Sequence, residues 1–293
     1  MNGVAHDTSP WNLAAGKSLG DLFELKEQRT GKCDWRRFHC DLPEQSRLDA
    51  AAWLVAAEIM ALRCNRARSS YRLWEMAAKR EALPPGADPT SLVPFIEPSL
   101  GLPPDGISLD HTQGYVAEVV WRILAREQVN ADRELVYLAR PDPDVHSPGA
   151  DGFAIYKEGD RYIYRIWEIK KREGNGAVSG TISKAYSQLK EHAERYLAKL
   201  TALSEVGDDD PLRVPFAELV PRWKVGDPSA GVGIAVAVNA AALPQTAFST
   251  MHDHFPNLAD GCLEGCLVGL GDFPEFCTYV RRLIWNGLSI PTP

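Results

Sequence analysis

The stretch GADGFAIYKEGDRYIYRIWEIKKR, residues 149–172, limits what this chain can fold into more than any other part of it. Two runs rich in Phe, Ile, Tyr and Trp, residues 152–157 and 161–169, flank the turn signal Glu158-Gly159-Asp160, and the combination predicts a β-hairpin. Side chains alternate faces along a strand, so Glu168 and Lys170 project from one side and Ile169 from the other. In the register set by the turn, the start of the first strand lies beside the end of the second, which brings Asp151 near Glu168. Two carboxylates and an ammonium at a hairpin mouth suit a hard cation, because Mg²⁺ takes oxygen ligands and completes its shell with water or phosphate. Lys170 would then orient or deprotonate an attacking water. A surface hairpin carrying an ordinary ion pair is the other reading of these residues.

The neighbouring sequence supplies the setting. Asp110 is a good N-cap for a helix whose stripe of Val116, Val119, Val120, Ile123 and Leu124 should pack on a sheet. Glu118 lies off that stripe, about a turn from Gly114, and by spacing alone reads as an exposed pair with Arg122 at i+4. Residues 133–139 read as a strand and 141–148 as a loop, whose His146 is a proton shuttle or a plain loop histidine. After a glycine-bearing loop at 173–180, a helix is expected over 181–203. Its apolar side is Ile182, Tyr186, Leu189, Ala193, Leu197 and Leu200, and its polar row is Lys184, Gln188, His192 and Arg195, which for Lys184 and Arg195 also reads as a solvated face. Residues 204–231 form a polar connection, and VGIAVAVN at 232–239 suits a strand buried on both faces. Residues 262–270 read as a further strand. Asp272 as cap and Pro274 in the first turn open a last helix through 288.

Over residues 110–240 the order is therefore helix, strand, strand, strand, helix, strand, with Asp151 and Glu168-Ile169-Lys170 on the second and third strands. This resembles the PD-(D/E)XK nuclease superfamily, whose pattern is an aspartate at the start of one core strand and a D/E-x-K triplet on the next. The resemblance implies an α/β fold with a central mixed β-sheet flanked by helices, a restriction-endonuclease-like core. Residues 1–105 would be a mostly helical N-terminal extension. Residues 106–293 would form the nuclease-like domain, with its core at about 110–240 and a C-terminal strand and helix within 262–288.

The resemblance also implies an activity, metal-dependent hydrolysis of phosphodiester bonds in DNA. Asp151, Glu168 and the carbonyl of Ile169 would hold Mg²⁺ or Mn²⁺, Glu118 would bind a second ion or orient water, and Lys170 would position the nucleophile. Gln188 matches in position a glutamine that many members turn toward the site, and Lys171, Arg172, Lys184 and Arg195 would meet the nucleic-acid backbone. One subgroup carries Gln-x-x-x-Tyr on this helix, and His192 stands where that tyrosine would be. An RNase with the same site, or an inactive nuclease fold serving as a binding or scaffold subunit, fits the same residues. By analogy with restriction and antiviral defence nucleases, a helicase, ATPase or recognition subunit would be its partner.

Composition bears on how such a protein would grip its substrate. With 32 Lys and Arg against 39 Asp and Glu, the chain carries a formal charge of −7, which argues against binding nucleic acid through bulk charge. Positive residues gather instead in 161–172 and 184–199. At 293 residues and 45% hydrophobic, the chain can bury a substantial core. Its most apolar helical run, residues 50–62, contains Glu58 and is too short to span a bilayer, and MNGVAHDTSPW lacks the pattern of a leader, so a cytoplasmic protein without membrane contact is expected.

The remaining segments say less. Helices are expected within 44–82, stopped by Pro84-Pro85-Gly86, with 83–106 as a connector and residues 1–43 without a sustained period. Six cysteines form no dense framework and suit reduced thiols. Cys33, His39 and Cys40 fit no common zinc spacing; His252, His254, Cys262 and Cys266 would assemble a zinc site or include two buried strand thiols. A second triplet, Glu24-Leu25-Lys26, has no comparable setting.

Overall fold

A computed structural model describes residues 8–40, 45–65, 67–103, 109–128, 132–141, 151–174, 176–203, 207 and 209–290. It shows an α/β protein with a mixed sheet flanked by helices and with helical elements near the N-terminus. In chain order the elements are α1 (Pro10–Ala14), β1 (Glu24–Thr30), β2 (Cys33–Cys40), α2 (Gln45–Cys64), α3 (Arg68–Ala78), α4 (Val93–Leu100), α5 (Leu109–Glu127), β3 (Glu134–Leu138), β4 (Gly152–Glu158) and β5 (Arg161–Arg172). They continue as α6 (Ser179–Leu203), α7 (Arg213–Ala217), α8 (Leu219–Lys224), β6 (Ala230–Val238), α9 (Met251–His254), β7 (Leu263–Leu270) and α10 (Phe273–Gly287).

Among the described residues the sheet has seven strands in the order β1-β2-β7-β6-β5-β4-β3. Its centre is parallel: β5 pairs with β6, β6 with β7 and β7 with β2 in that sense, while the outer pairs are antiparallel. Every residue of β6 and β7 is buried, as strands covered on both faces require. One cover is formed by α2, α3, α5 and α10 over Trp167, Ile169, Ala235 and Val268. The other is formed mainly by α6, whose Ile182, Tyr186, Leu189 and Ala193 pack with Ile166, Ile234 and Val236.

The hairpin forms in the expected register, with Glu158 opposite Arg161 and Gly152 opposite Trp167. Gly159 turns it at φ +59°, a left-handed conformation that glycine adopts without a Cβ penalty. The α5 stripe is buried as read, and Asp272 caps α10 by accepting from the Glu275 N–H at 3.0 Å. Asp110, expected as the cap of α5, lies one residue inside it, in the first turn.

Three parts of the sequence reading are corrected. Residues 24–40, which lie in the stretch without a sustained period, supply β1 and β2, so the sheet runs across the division placed at residue 105. Strand β1 is a border strand of mostly exposed polar residues, which leaves no apolar alternation to read. The connector at 83–106 contains α4, which begins with Pro94 in its first turn and carries Pro98 inside. The polar connection at 204–231 holds the short helices α7 and α8.

Close approach shapes the centre of the sheet. A Cβ on Gly233 of β6 would fall within the indole of Trp167, so the absent side chain lets that ring lie against the strand. Gly233→Ala should therefore destabilise the fold by about 1–3 kcal/mol, the usual cost of overpacking a core. Urea unfolding that matched the wild type would show that the indole has room to move.

Candidate functional site

The hairpin register carries Asp151 to the side of Glu168, and strand alternation places Asp151, Glu168 and Lys170 on the sheet face that α6 covers. The Asp151 carboxylate accepts the Ile169 N–H through Oδ2 at 2.8 Å, which ties the entry of β4 to the exit of β5. Lys170 Nζ lies 3.7 Å from that same Oδ2 and in direct ion-pair contact with Glu168 Oε1. Glu168 is 0% exposed, in register with the fully buried Ile234 of β6, and neither of its oxygens has a hydrogen bond of good geometry.

This burial sets the charge state. Glu168 is pushed up to about 8, first by loss of solvent and then by the neighbouring Asp151 carboxylate. Burial raises Asp151 as well, against the opposing pull of Lys170 and the Ile169 N–H. For Lys170, burial alone would favour the neutral amine, but Asp151 and Glu168 together outweigh it, with Glu118 adding to their field, and keep the ammonium charged.

A second buried glutamate shows what satisfaction looks like in the same sheet. Glu264 of β7 lies on the opposite face, bound by the Arg133 fork at 2.6 and 3.0 Å and by Arg165 Nε at 2.8 Å. Burial would raise it too, but the two guanidinium groups prevail and hold it at about 2. Sequence reading missed this cluster; its signal was a charge inside each of two apolar strands, Arg165 in YRIW and Glu264 in LEGCL. The second triplet is different again: Glu24 and Lys26 pair at 2.8 Å on the border strand, 57% and 50% exposed.

The other expected site residues are dispersed. Glu118 is half-buried on α5, and its i+4 neighbour Arg122 is engaged by the Leu138 and Ala139 carbonyls at 3.0 and 2.6 Å and lies 3.6 Å from Glu58. Lys171 points away from the triad, held by Asp110, Glu173 and Gln113 at 2.5, 2.7 and 2.9 Å. Arg172 donates to the Gly176 carbonyl, and the exposed Arg195 sits over the ring of Tyr196. Lys184 and Gln188 share a shallow groove on α6 with Ser187 and His192. Among the described residues neither bonds to Asp151, Glu168 or Lys170. His146 lies outside the described residues.

Metal-binding capacity follows from the donor set. Among the described residues no group of three or more His, Cys, Asp or Glu gathers to hold an ion. The zinc reading at the C-terminal end is thereby corrected: Cys262 Sγ donates to the Pro228 carbonyl, His254 stacks on Tyr186 and His252 pairs with Asp253. Cys33 and Cys40 are buried on opposite faces of β2, and all six thiols are free. Asp151 and Glu168 offer two carboxylates, and the buried Glu168 is met by the Lys170 ammonium alone at Oε1, with no hydrogen bond of good geometry. That fits a hard cation such as Mg²⁺, which commonly takes one or two protein carboxylates and fills its shell from water and substrate.

No protein-family model and no curated protein matches this sequence. The chemistry of the site therefore rests on its residues. No helix among the described residues is long and apolar enough to cross a membrane.

Glu168 and Glu264 should respond to pH with opposite signs. Because Glu168 sits above its ordinary 4.5, the stability it permits is fully present below that value and lost as pH rises through about 8. Glu168→Gln should thus leave the melting temperature near that of the wild type at pH 5 and raise it by a few degrees at pH 8.5. Glu264 contributes stability above 4.5 that is lost as pH falls toward 2, and Glu264→Gln should cost about 3–5 kcal/mol at neutral pH. Melting profiles of both variants that ran parallel across this range would contradict the assigned charge states.

Proposed function

We propose that this chain is a metal-dependent nuclease of the PD-(D/E)XK kind, hydrolysing phosphodiester bonds in DNA. The observation that carries the reading is the buried Glu168, held without a hydrogen bond of good geometry beside Asp151 and under the Lys170 ammonium. Glu264 has two guanidinium groups to itself, whereas Glu168 shares one ammonium with Asp151, and a buried carboxylate so under-compensated is retained at a cost that a bound cation would offset. Asp151 and Glu168, with the Ile169 carbonyl, are the groups that would hold Mg²⁺ or Mn²⁺. Such an ion supplies Lewis acidity toward a phosphoryl oxygen and an acidified water.

The chain's own residues then divide the work. Lys170 is an ammonium between two carboxylates, so it acts as a donor, orienting the attacking oxygen and offsetting charge on the phosphate, and not as a base. The Ile169 N–H fixes the Asp151 carboxylate, which spares it reorganisation when substrate arrives. Glu118, on α5, adds negative field at Lys170 and would orient water or help hold a second ion. Gln188, Lys184 and Arg195 on α6 and Arg172 on β5 offer contacts to the nucleic-acid backbone. A formal charge of −7 supports a helicase, ATPase or recognition partner that presents the DNA, as in restriction or antiviral defence.

Purified protein incubated with labelled duplex DNA, single-stranded DNA and RNA, in Mg²⁺, Mn²⁺ or EDTA, tests this reading. Cleavage of DNA with either metal and none with EDTA is expected. Lys170→Ala and Glu168→Ala should each lower the rate by about 100–1,000-fold with the fold intact. Undiminished cutting by either variant would remove the assignment, and cutting of RNA alone would make the protein an RNase. Because the Glu168 proton competes with the ion, thermal stabilisation by Mn²⁺ should grow as pH rises toward about 8 and level off above it.

A further inference from the structure

On the α5 side of the sheet, away from the triad, the C-terminal half of α5 and strands β1, β2 and β7 enclose an open cavity of about 510 Å³. That volume lies in the range of small-molecule sites. Three aromatic side chains, Trp121, Trp167 and Tyr156, form part of its wall, and its charged groups are Arg29, Arg36 and Arg133 against Glu27, Asp34 and Glu264. The Trp121 and Trp167 rings meet at 5.3 Å, and the Arg133 guanidinium lies 4.2 Å over the ring of Tyr156.

Charge and hydrogen bonding both leave a remainder here. Arg36 is balanced by Glu27 at 2.9 Å and Arg29 by Asp34 at 3.5 Å. Glu264 alone serves both Arg133, in the wall, and Arg165, buried behind it, so one surplus positive charge lies beneath an otherwise balanced lining. Two donors of the wall, Arg133 Nε and Trp167 Nε1, are buried with no hydrogen-bond partner. Buried donors in native proteins are nearly always satisfied, and a cavity bordered by two that are not favours a ligand rich in acceptors. Flat π faces favour a planar ring, and the surplus charge favours an anionic group.

We propose that this cavity binds a nucleoside monophosphate, with the base against the Trp121–Trp167 wall and the phosphate toward Arg133 and Arg36. The site is independent of the nuclease reading, since it contains none of Asp151, Glu168 or Lys170. Titration of the full chain with AMP, GMP, CMP and UMP, followed by tryptophan emission, should show saturable quenching with at least one of them. Adenosine and inorganic phosphate, run as separate arms, should each bind at least about tenfold more weakly than the best nucleotide. Arg36→Gln, at the partly exposed rim, should weaken binding by about tenfold, the loss of one charge-assisted hydrogen bond. Trp167→Phe keeps a ring and removes the orphan N–H, and should weaken it as well. No saturable change at millimolar nucleotide, phosphate binding as tightly as nucleotide, or unaltered affinity in Arg36→Gln would each overturn the proposal.

Discussion

The parallel ladder of β5, β6 and β7 is the constraint on which the rest depends. Strands paired in parallel need crossover connections, which here become α6 and the segments after β6 on one face, while α2, α3, α5 and α10 keep the other face out of water. Any charge placed on such a strand must be neutralised, paired or put to use. The chain places Glu168 on one face and Glu264 on the other, and solves the two cases in opposite ways.

Glu264 is satisfied within the protein. Two guanidinium groups reach it from β5 and from just before β3, and the result is a depressed carboxylate in a polar island on the α5 face. Glu168 is left incomplete, next to a second carboxylate that raises it further and an ammonium that only partly offsets the pair. The same backbone thus holds one acidic group at low energy and another at high energy. Sites that do chemistry are commonly built from the second kind, because their stored cost is released when a ligand completes them.

What could be read from the residues, and what could not, divides along physical lines. The hairpin, α5, α6, β6 and α10 announce themselves through period, turn chemistry and capping, all of which are local. The convergence of Asp151 with Glu168 and Lys170 was legible because a tight turn makes a pairing across the hairpin as good as local. Strands β1 and β2 were not legible, because a charged border strand has no apolar alternation and β2 finds its parallel partner, β7, only through the rest of the fold. The Glu264 cluster was hidden for a related reason: its arginines stand 99 and 131 positions away in sequence. Helix α4 escaped notice because its two prolines read as punctuation, although the first sits where a helix tolerates it.

The border formed by β1 has a consequence for how the molecule meets others. A strand arriving there from a second molecule finds Glu24, Lys26, Glu27 and Arg29 where an apolar seam would invite it. Extending the sheet on that margin requires a newcomer whose own charges answer that sequence of signs, so chance association through backbone pairing is turned away by electrostatics at the rim.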